Sequence, residues 1–229
     1  MSVRVVPGEI SSKNVTTRTV IPTGAQSRWP PFERVAETIA TPRRPFPPHG
    51  HEGVEVLTYV IEGSALYAIA PGVTEPIQPG TIELLTAPTT VSHAINPAKG
   101  QTIRWFALVA TLPTGATTSI RLQSGRAVAI AMQPDGTVVR HLVGPRSTLT
   151  SVVGLECDAI EFHRGGTSFR RVGHDRVAVL YAISGPGMVD NVPLDAGEAV
   201  LVDDAAGVAL EGEPGFHVIL SSAPRVARA

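Results

Sequence analysis

The sequence predicts an all-β chain made of two copies of one small barrel. Three observations carry that prediction: the spacing of its glycines and prolines, the character of the runs between them, and a repeat that relates its two halves. The 22 glycines and 20 prolines punctuate the chain, roughly every eight to twelve residues, which is the rhythm of sandwiches and barrels. The runs between these breaks are short and rich in Val, Ile, Leu and Thr, side chains that pack well on a pleated surface. No long amphipathic helical pattern interrupts them.

Taken in order, the first strand expected is 54–61, VEVLTYVI, so nearly continuous in apolar residues that it should be covered on both faces. Gly63 turns the chain into 65–70, and a Pro76 bend with a Gly80 turn leads into 81–85. The strand 103–110 completes the first set. In the second half the same reasoning gives strands at 177–183, 199–202 and 216–220. The two sets align as a repeat, because TYVIEG, PIQPGTIELL and WFALVA have partners in LYAISG, PLDAGEAVLV and FHVILS. Pro76 precedes Gly80 by the same four residues that separate Pro193 from Gly197. Between the copies, residues 112–125 are poor in large apolar side chains and rich in Gly, Thr and Ser. A boundary there gives domains 1–120 and 121–229.

Composition narrows the function classes. Lys and Arg number 19 against 20 for Asp and Glu, a net charge of −1 with no basic stripe to neutralise a phosphate backbone. Direct nucleic-acid binding is therefore not expected, and the group Arg164, Arg170, Arg171 and Arg176 reads as a solvated strand face. No apolar run reaches the roughly 20 residues that span a bilayer, so no membrane role is expected. One cysteine, Cys157, excludes a disulfide framework; without a secretory pattern at the N-terminus, the expected compartment is the cytoplasm. No Gly-x-Ser-x-Gly elbow, dinucleotide fingerprint or phosphate loop occurs.

The segment PPHGHEGVEVLTYVIEG, residues 47–63, carries the chemistry. On an extended segment, His49 and His51 point to the same side and can share a cation. Alone, the pair reads rather as two polar residues of a solvent-facing turn after two prolines. His93, beyond the Gly80 hairpin in a segment expected to pair back toward the first, adds a third imidazole. Three imidazoles on a barrel wall suit iron, copper, nickel or zinc. Val54, Leu57 and Trp105 are expected to line an apolar pocket beside them. His141, His163, His174 and His217 are scattered and read as surface or hydrogen-bonded groups, and Cys157 as a small buried hydrophobe.

These residues resemble the cupin signature. Its first motif, His-x-His with a following glutamate and glycine, matches His49, His51, Glu55 and Gly63. Its second matches Pro88, His93 and Asn96, with Thr90 where glycine is usual and the last spacing one residue short. Within cupins the chain is most similar to pirins, bicupins whose first motif reads much like the one here and follows a segment such as RRPFPPHG. The likeness covers most of the chain and is specific in the first motif.

The resemblance implies two tandem cupin (jelly-roll) β-barrels, a bicupin: an N-terminal barrel with the metal site and a degenerate C-terminal one. It also implies one divalent transition metal per chain, iron(II) foremost, with nickel, copper, manganese or zinc as alternatives. The ligands would be His49, His51, His93 and a carboxylate. In pirins that carboxylate stands two residues after the second-motif histidine, where this chain has Ile95, which coordinates nothing. Glu55 is then the substitute, as ligand or as the catalytic base, unless three histidines and water suffice or the metal is weak or absent; Glu55 pairing with an arginine at the barrel mouth is the equal alternative. The activity implied is a metal-dependent dioxygenase of quercetin-like flavonols or another small enolisable aromatic. The alternative is a non-catalytic regulatory or interaction protein with a degenerate site and an unknown protein partner. A ligand-binding barrel without redox chemistry is the third.

Overall fold

The computed structural model describes residues 2–12, 15–69 and 72–226. Antiparallel strands make up nearly all of the regular structure, with one 3-10 turn at Gly125–Ala127. No helix among the described residues is long and apolar enough to cross a membrane. In chain order the strands are β1 (Ser2–Val6), β2 (Glu9–Ser11), β3 (Thr16–Ile21), β4 (Phe32–Ala40), β5 (Phe46–His51), β6 (Val54–Glu62) and β7 (Ala65–Ile69). There follow β8 (Val73–Ile77), β9 (Ile82–Ala87), β10 (Val91–Pro97), β11 (Ile103–Thr111), β12 (Ser119–Gln123), β13 (Ala129–Met132) and β14 (Thr137–Val143). The last are β15 (Glu156–Phe162), β16 (Gly166–Ser184), β17 (Gly187–Val189), β18 (Val192–Leu194), β19 (Ala199–Gly212) and β20 (His217–Pro224). Every strand expected from sequence appears; residue 70, the end of the second, lies outside the described residues.

Two compact units form, one of Glu9–Ala127 and one of Val128–Ala229 with Met1–Gly8. The division at 120/121 read from composition falls inside β12, which pairs with β9 and stays with the first unit, while β1 pairs with β19 in the second. The first unit is a seven-stranded sheet, β12-β9-β6-β11-β4-β3-β2, and a four-stranded one, β5-β10-β7-β8. Tyr67, Ile77 and Ile95 from the smaller sheet pack with Val60, Ile103 and Trp105 from the larger to form a core between them. The second unit is one nine-stranded sheet in which β16 and β19 pair along most of their length and shift register between Gly173 and Val177. A bulge of this kind lets a long strand bend around a jelly-roll. Its interior is filled by apolar side chains, Val139, Phe162, Leu180, Leu210 and Phe216 among them.

The repeat is visible in individual hydrogen bonds. Gly80 N donates to Val60 O and Gly197 N to Ala182 O, both at 2.8 Å, while Val60 N donates to Thr81 O (2.9 Å) and Ala182 N to Glu198 O (3.1 Å). Gly80 and Gly197 take φ of 85° and 87°, a left-handed conformation that glycine adopts without strain. Gly63 needs its identity twice over: its φ is 76°, and a Cβ there would lie 1.8 Å from Thr102 O. β6 is buried at every position from Val54 to Val60, as its continuous apolar run predicts.

Candidate metal centre

The three histidines of the two motifs come together on the four-stranded sheet. β10 lies between β5 and β7, and its register sets His93 directly opposite His49 on one side and Ile69 on the other. His51, two residues along β5, pairs with Val91, so its ring stands diagonal to His93 on the same face. His49 Nε2 is 2.9 Å and His51 Nε2 3.1 Å from His93 Nε2. Ring centroids are 4.4 to 4.9 Å apart, and the donor atoms of all three lie within 4.8 Å of one another. His93 is buried and the other two are half-buried.

Hydrogen bonding to the far side of the His49 and His93 rings fixes what they turn inward. The His93 Nδ1–H points between the Tyr67 hydroxyl oxygen, at 2.7 Å, and Glu83 Oε1, at 3.1 Å, and the Tyr67 hydroxyl in turn donates to Glu83. The His49 Nδ1–H donates to the Pro47 carbonyl at 3.1 Å. These assignments leave the Nε2 atoms of His49 and His93 unprotonated. Two imidazole lone pairs 2.9 Å apart repel unless a cation lies between them. Nitrogens each about 2.0–2.1 Å from one ion and at right angles stand about 2.9 Å apart, close to the spacing of both pairs that involve His93, so the three residues fit a histidine site for a divalent transition metal.

Electrostatics keep His49 and His51 neutral. Burial, then the charge of His93, lowers the His49 pKa, with Pro47 and Glu83 opposing and Arg34 adding a little. Burial, then His93, His49 and Arg34, lowers the His51 pKa to about 4. Both rings therefore present lone pairs at neutral pH without first losing a proton.

Glu55 is not brought to this group. Parity counted from His51 would place it alongside, but the chain leaves the four-stranded sheet at Glu52 and Gly53 (φ 70°) and enters the seven-stranded one at Val54. That passage resets the alternation. Val56 and Thr58 line the cavity, and Glu55, buried on the opposite face of β6, accepts a hydrogen bond from Thr86 Oγ1 at 3.2 Å. The carboxylate that does approach is Glu83. It stands on β9 opposite Thr58, reaches across from the facing sheet, and takes the outer nitrogen of His93 rather than the cation position. A carboxylate inside the apolar stretch TIELL is the signal that would have found it, since a buried Glu is rarely without a partner. Such outer partners fix the ring's tautomer and raise its basicity. Glu83→Gln is expected to weaken metal binding by about 10- to 100-fold in a chelator-competition titration, with no change in the number of sites.

Ile95 occupies the expected carboxylate position, buried and on the cavity wall two residues from His93. The cavity has a volume of 540 Å³ and is lined chiefly by Phe46, Ile95, Trp105, Ala107, Val109 and several threonines. Phe46 stands edge-on to both His49 (4.4 Å) and Trp105 (5.3 Å), clamping the rim. Of the pocket residues expected from sequence, Trp105 lines the cavity. Val54 instead packs with Val56, Leu85 and Val109, and Leu57 lies on the other face of β6. In the second unit, His141 pairs with Asp158 (2.8 Å), His163 with Glu161 (3.5 Å) and the exposed His174 with Asp204 (3.1 Å). Cys157 is buried, and burial pushes its thiol up to about 12, which suits a hydrophobe and not a nucleophile. Among the described residues no further trio of candidate ligands is close enough to hold an ion.

Comparison with known proteins agrees with this geometry. The pirin family model matches residues 22–108, a span that holds all three histidines. A pirin-like protein of Caulobacter vibrioides is 28% identical over 185 residues, which cover 76% of this chain and 67% of that protein. The solved structure of the bacterial pirin YhhW from Escherichia coli in complex with nickel(II) superposes with a TM-score of 0.81 at 14% identity, covering 98% of this chain and all of that one. Quercetin 2,3-dioxygenase from Acinetobacter baumannii gives 0.84 at 18% identity, covering 97% of this chain and 79% of the other. Both motifs, the two-unit all-β fold and these likenesses agree: residues 22–108 match the pirin family model, and the chain is similar to pirins in sequence and has their bicupin fold.

Proposed function

We propose that this protein is a metal-dependent dioxygenase acting on a small enolisable aromatic, quercetin-like flavonols included. The observation that supports it is the convergence of three imidazole nitrogens, two of them 2.9 and 3.1 Å from the central one, on the wall of an apolar cavity large enough for a ring compound. The likeness to a quercetin 2,3-dioxygenase and to a nickel-bound pirin supports the same reading. The metal proposed is one divalent ion per chain, iron(II) first and nickel next. Bound there, it would supply a Lewis acid for an enolate oxygen.

The chain's own residues have separate tasks. His49, His51 and His93 hold the ion, and Glu83 with Tyr67 fixes the His93 ring. Phe46, Trp105 and Val109 give the aromatic body of the ligand an apolar bed and keep water from the reacting face. With Glu55 on the other face of β6, the role of base falls outside that residue.

Ile95 favours a second reading. Without a fourth ligand the site resembles a degenerate one, as in a non-catalytic regulatory or interaction protein. The test is metal analysis followed by oxygen uptake. Protein loaded with iron(II) or nickel should hold close to one ion per chain and consume oxygen with quercetin or another enolisable aromatic. A loaded protein that consumes none above its metal-free form across such a panel establishes the second reading, and a chain that binds no metal removes the first altogether.

A further inference from the structure

Strand alternation sorts the charges around this cavity. On β4, Arg34, Ala36 and Thr38 face the cavity, while Glu33 and Glu37 face away; on β6, Val56 and Thr58 face it and Glu55 does not. Glu37 is held on that far side by Arg104 at 2.8 Å, and Glu33 accepts a hydrogen bond from Thr111 at 2.8 Å. The cavity lining, among the described residues, thus contains no Asp or Glu and one Arg or Lys, Arg34. Among the described residues Arg34 has no ion-pair partner, and its side chain remains open to solvent at the cavity mouth. A cation across the cavity from a divalent ion, with Ile95 in place of a compensating carboxylate, leaves the site with an unbalanced positive charge.

We infer that Arg34 is a second anchor point of this site and that the ligand is a small aromatic or enolic acid. Its hydroxyl is directed to the three-histidine centre and its carboxylate to the Arg34 guanidinium. The inference rests on the metal reading above and narrows its substrate class. Arginine suits this role because its planar fork bonds a carboxylate through two parallel N–H groups. The apolar lining between the two charged ends, Ala36, Ala107 and Val109, takes the ring.

The experiment compares 2-hydroxybenzoate with its neutral analogue 2-hydroxybenzamide, using nickel-loaded and chelator-stripped protein. Binding is followed by calorimetry and by quenching of tryptophan fluorescence, since Trp105 lines the cavity. The acid is expected to bind the loaded protein at least about tenfold tighter than the amide, the scale of one charge-assisted hydrogen bond. Arg34→Gln should reduce that ratio to about one with nickel content unchanged, and Arg34→Lys should restore part of it. In stripped protein both ligands weaken, while the preference set by Arg34 persists. A preference untouched by Arg34→Gln, or loaded protein that binds neither probe, overturns the inference. Failure of the metal reading shows separately, as a nickel content near zero in the wild type.

Discussion

Alanine in place of His93 is expected to remove the metal, from close to one ion per chain to background in elemental analysis of the purified protein. His93 stands between the other two, within 2.9 and 3.1 Å of their Nε2 atoms, and is the one ligand held rigidly from behind, by Tyr67 and Glu83. Loss of His49 or His51 leaves His93, braced by Tyr67 and Glu83, with one partner; loss of His93 leaves two imidazoles on a single strand, His49 held only by Pro47 and Phe46 of that strand and neither braced by Glu83. The variant also strands Glu83, a buried carboxylate whose ion-pair partner among the described residues is His93. A stability loss of about 3 kcal/mol is expected with it, measurable by urea denaturation. His93→Gln separates the effects, since its amide can still donate to Glu83 and keeps the fold while losing the metal. Metal content in either variant equal to wild type would end the three-histidine account.

Ile95→Glu is expected to act in the opposite direction. The side chain at 95 already faces the cavity beside His93, so a carboxylate there enters the position that the pirin pattern assigns to a fourth ligand. Even at an effective dielectric constant of about 20, two unit charges about 4 Å apart attract by about 4 kcal/mol. That attraction alone corresponds to about a thousandfold in affinity; with part of it lost to desolvating the carboxylate, an increase on the order of a hundredfold is expected, read by competition against a chelator. Without metal the same carboxylate is buried among Tyr67, Phe46 and Trp105 and costs on the order of 3 kcal/mol. The variant should thus be less stable than wild type when stripped and more stable when loaded. A stripped variant as stable as wild type, with unchanged affinity, would show that residue 95 does not face the ion. The added negative charge also lowers the potential of a bound iron and weakens attraction for an anionic ligand.

Much of this was legible in the sequence because it depends on short-range rules. His49 and His51 share a side through strand alternation. His93 meets them because a hairpin around Gly80 returns the chain, and the repeat of that hairpin at Gly197 revealed two units. What escaped depended on which sheet a residue belongs to. Glu55 has the right parity on paper, yet Gly53 hands the chain from one sheet to the other before it. Glu83 reaches His93 only because the two sheets face each other, and no local pattern encodes that. Arg34 lies on β4, FERVAETIA, whose interspersed charges gave no strand signal although both its faces pack. β14 gives no clear strand signal either, because Arg140 and His141 pair with Glu161 and Asp158 of β15 across the strands and hide the alternation.

The two units solve the same architecture with opposite interiors. In the second, Phe162 and Phe216 (5.5 Å between centroids) fill the middle so tightly that Gly187 and Gly212 cannot carry a side chain without touching the Phe216 ring. In the first, the corresponding volume is left open for a guest, and the dispersion contacts of a filled interior are forgone. Heat should find that asymmetry: the hollow half melts first and is the half whose melting a bound guest delays, while the solid half sets the ceiling.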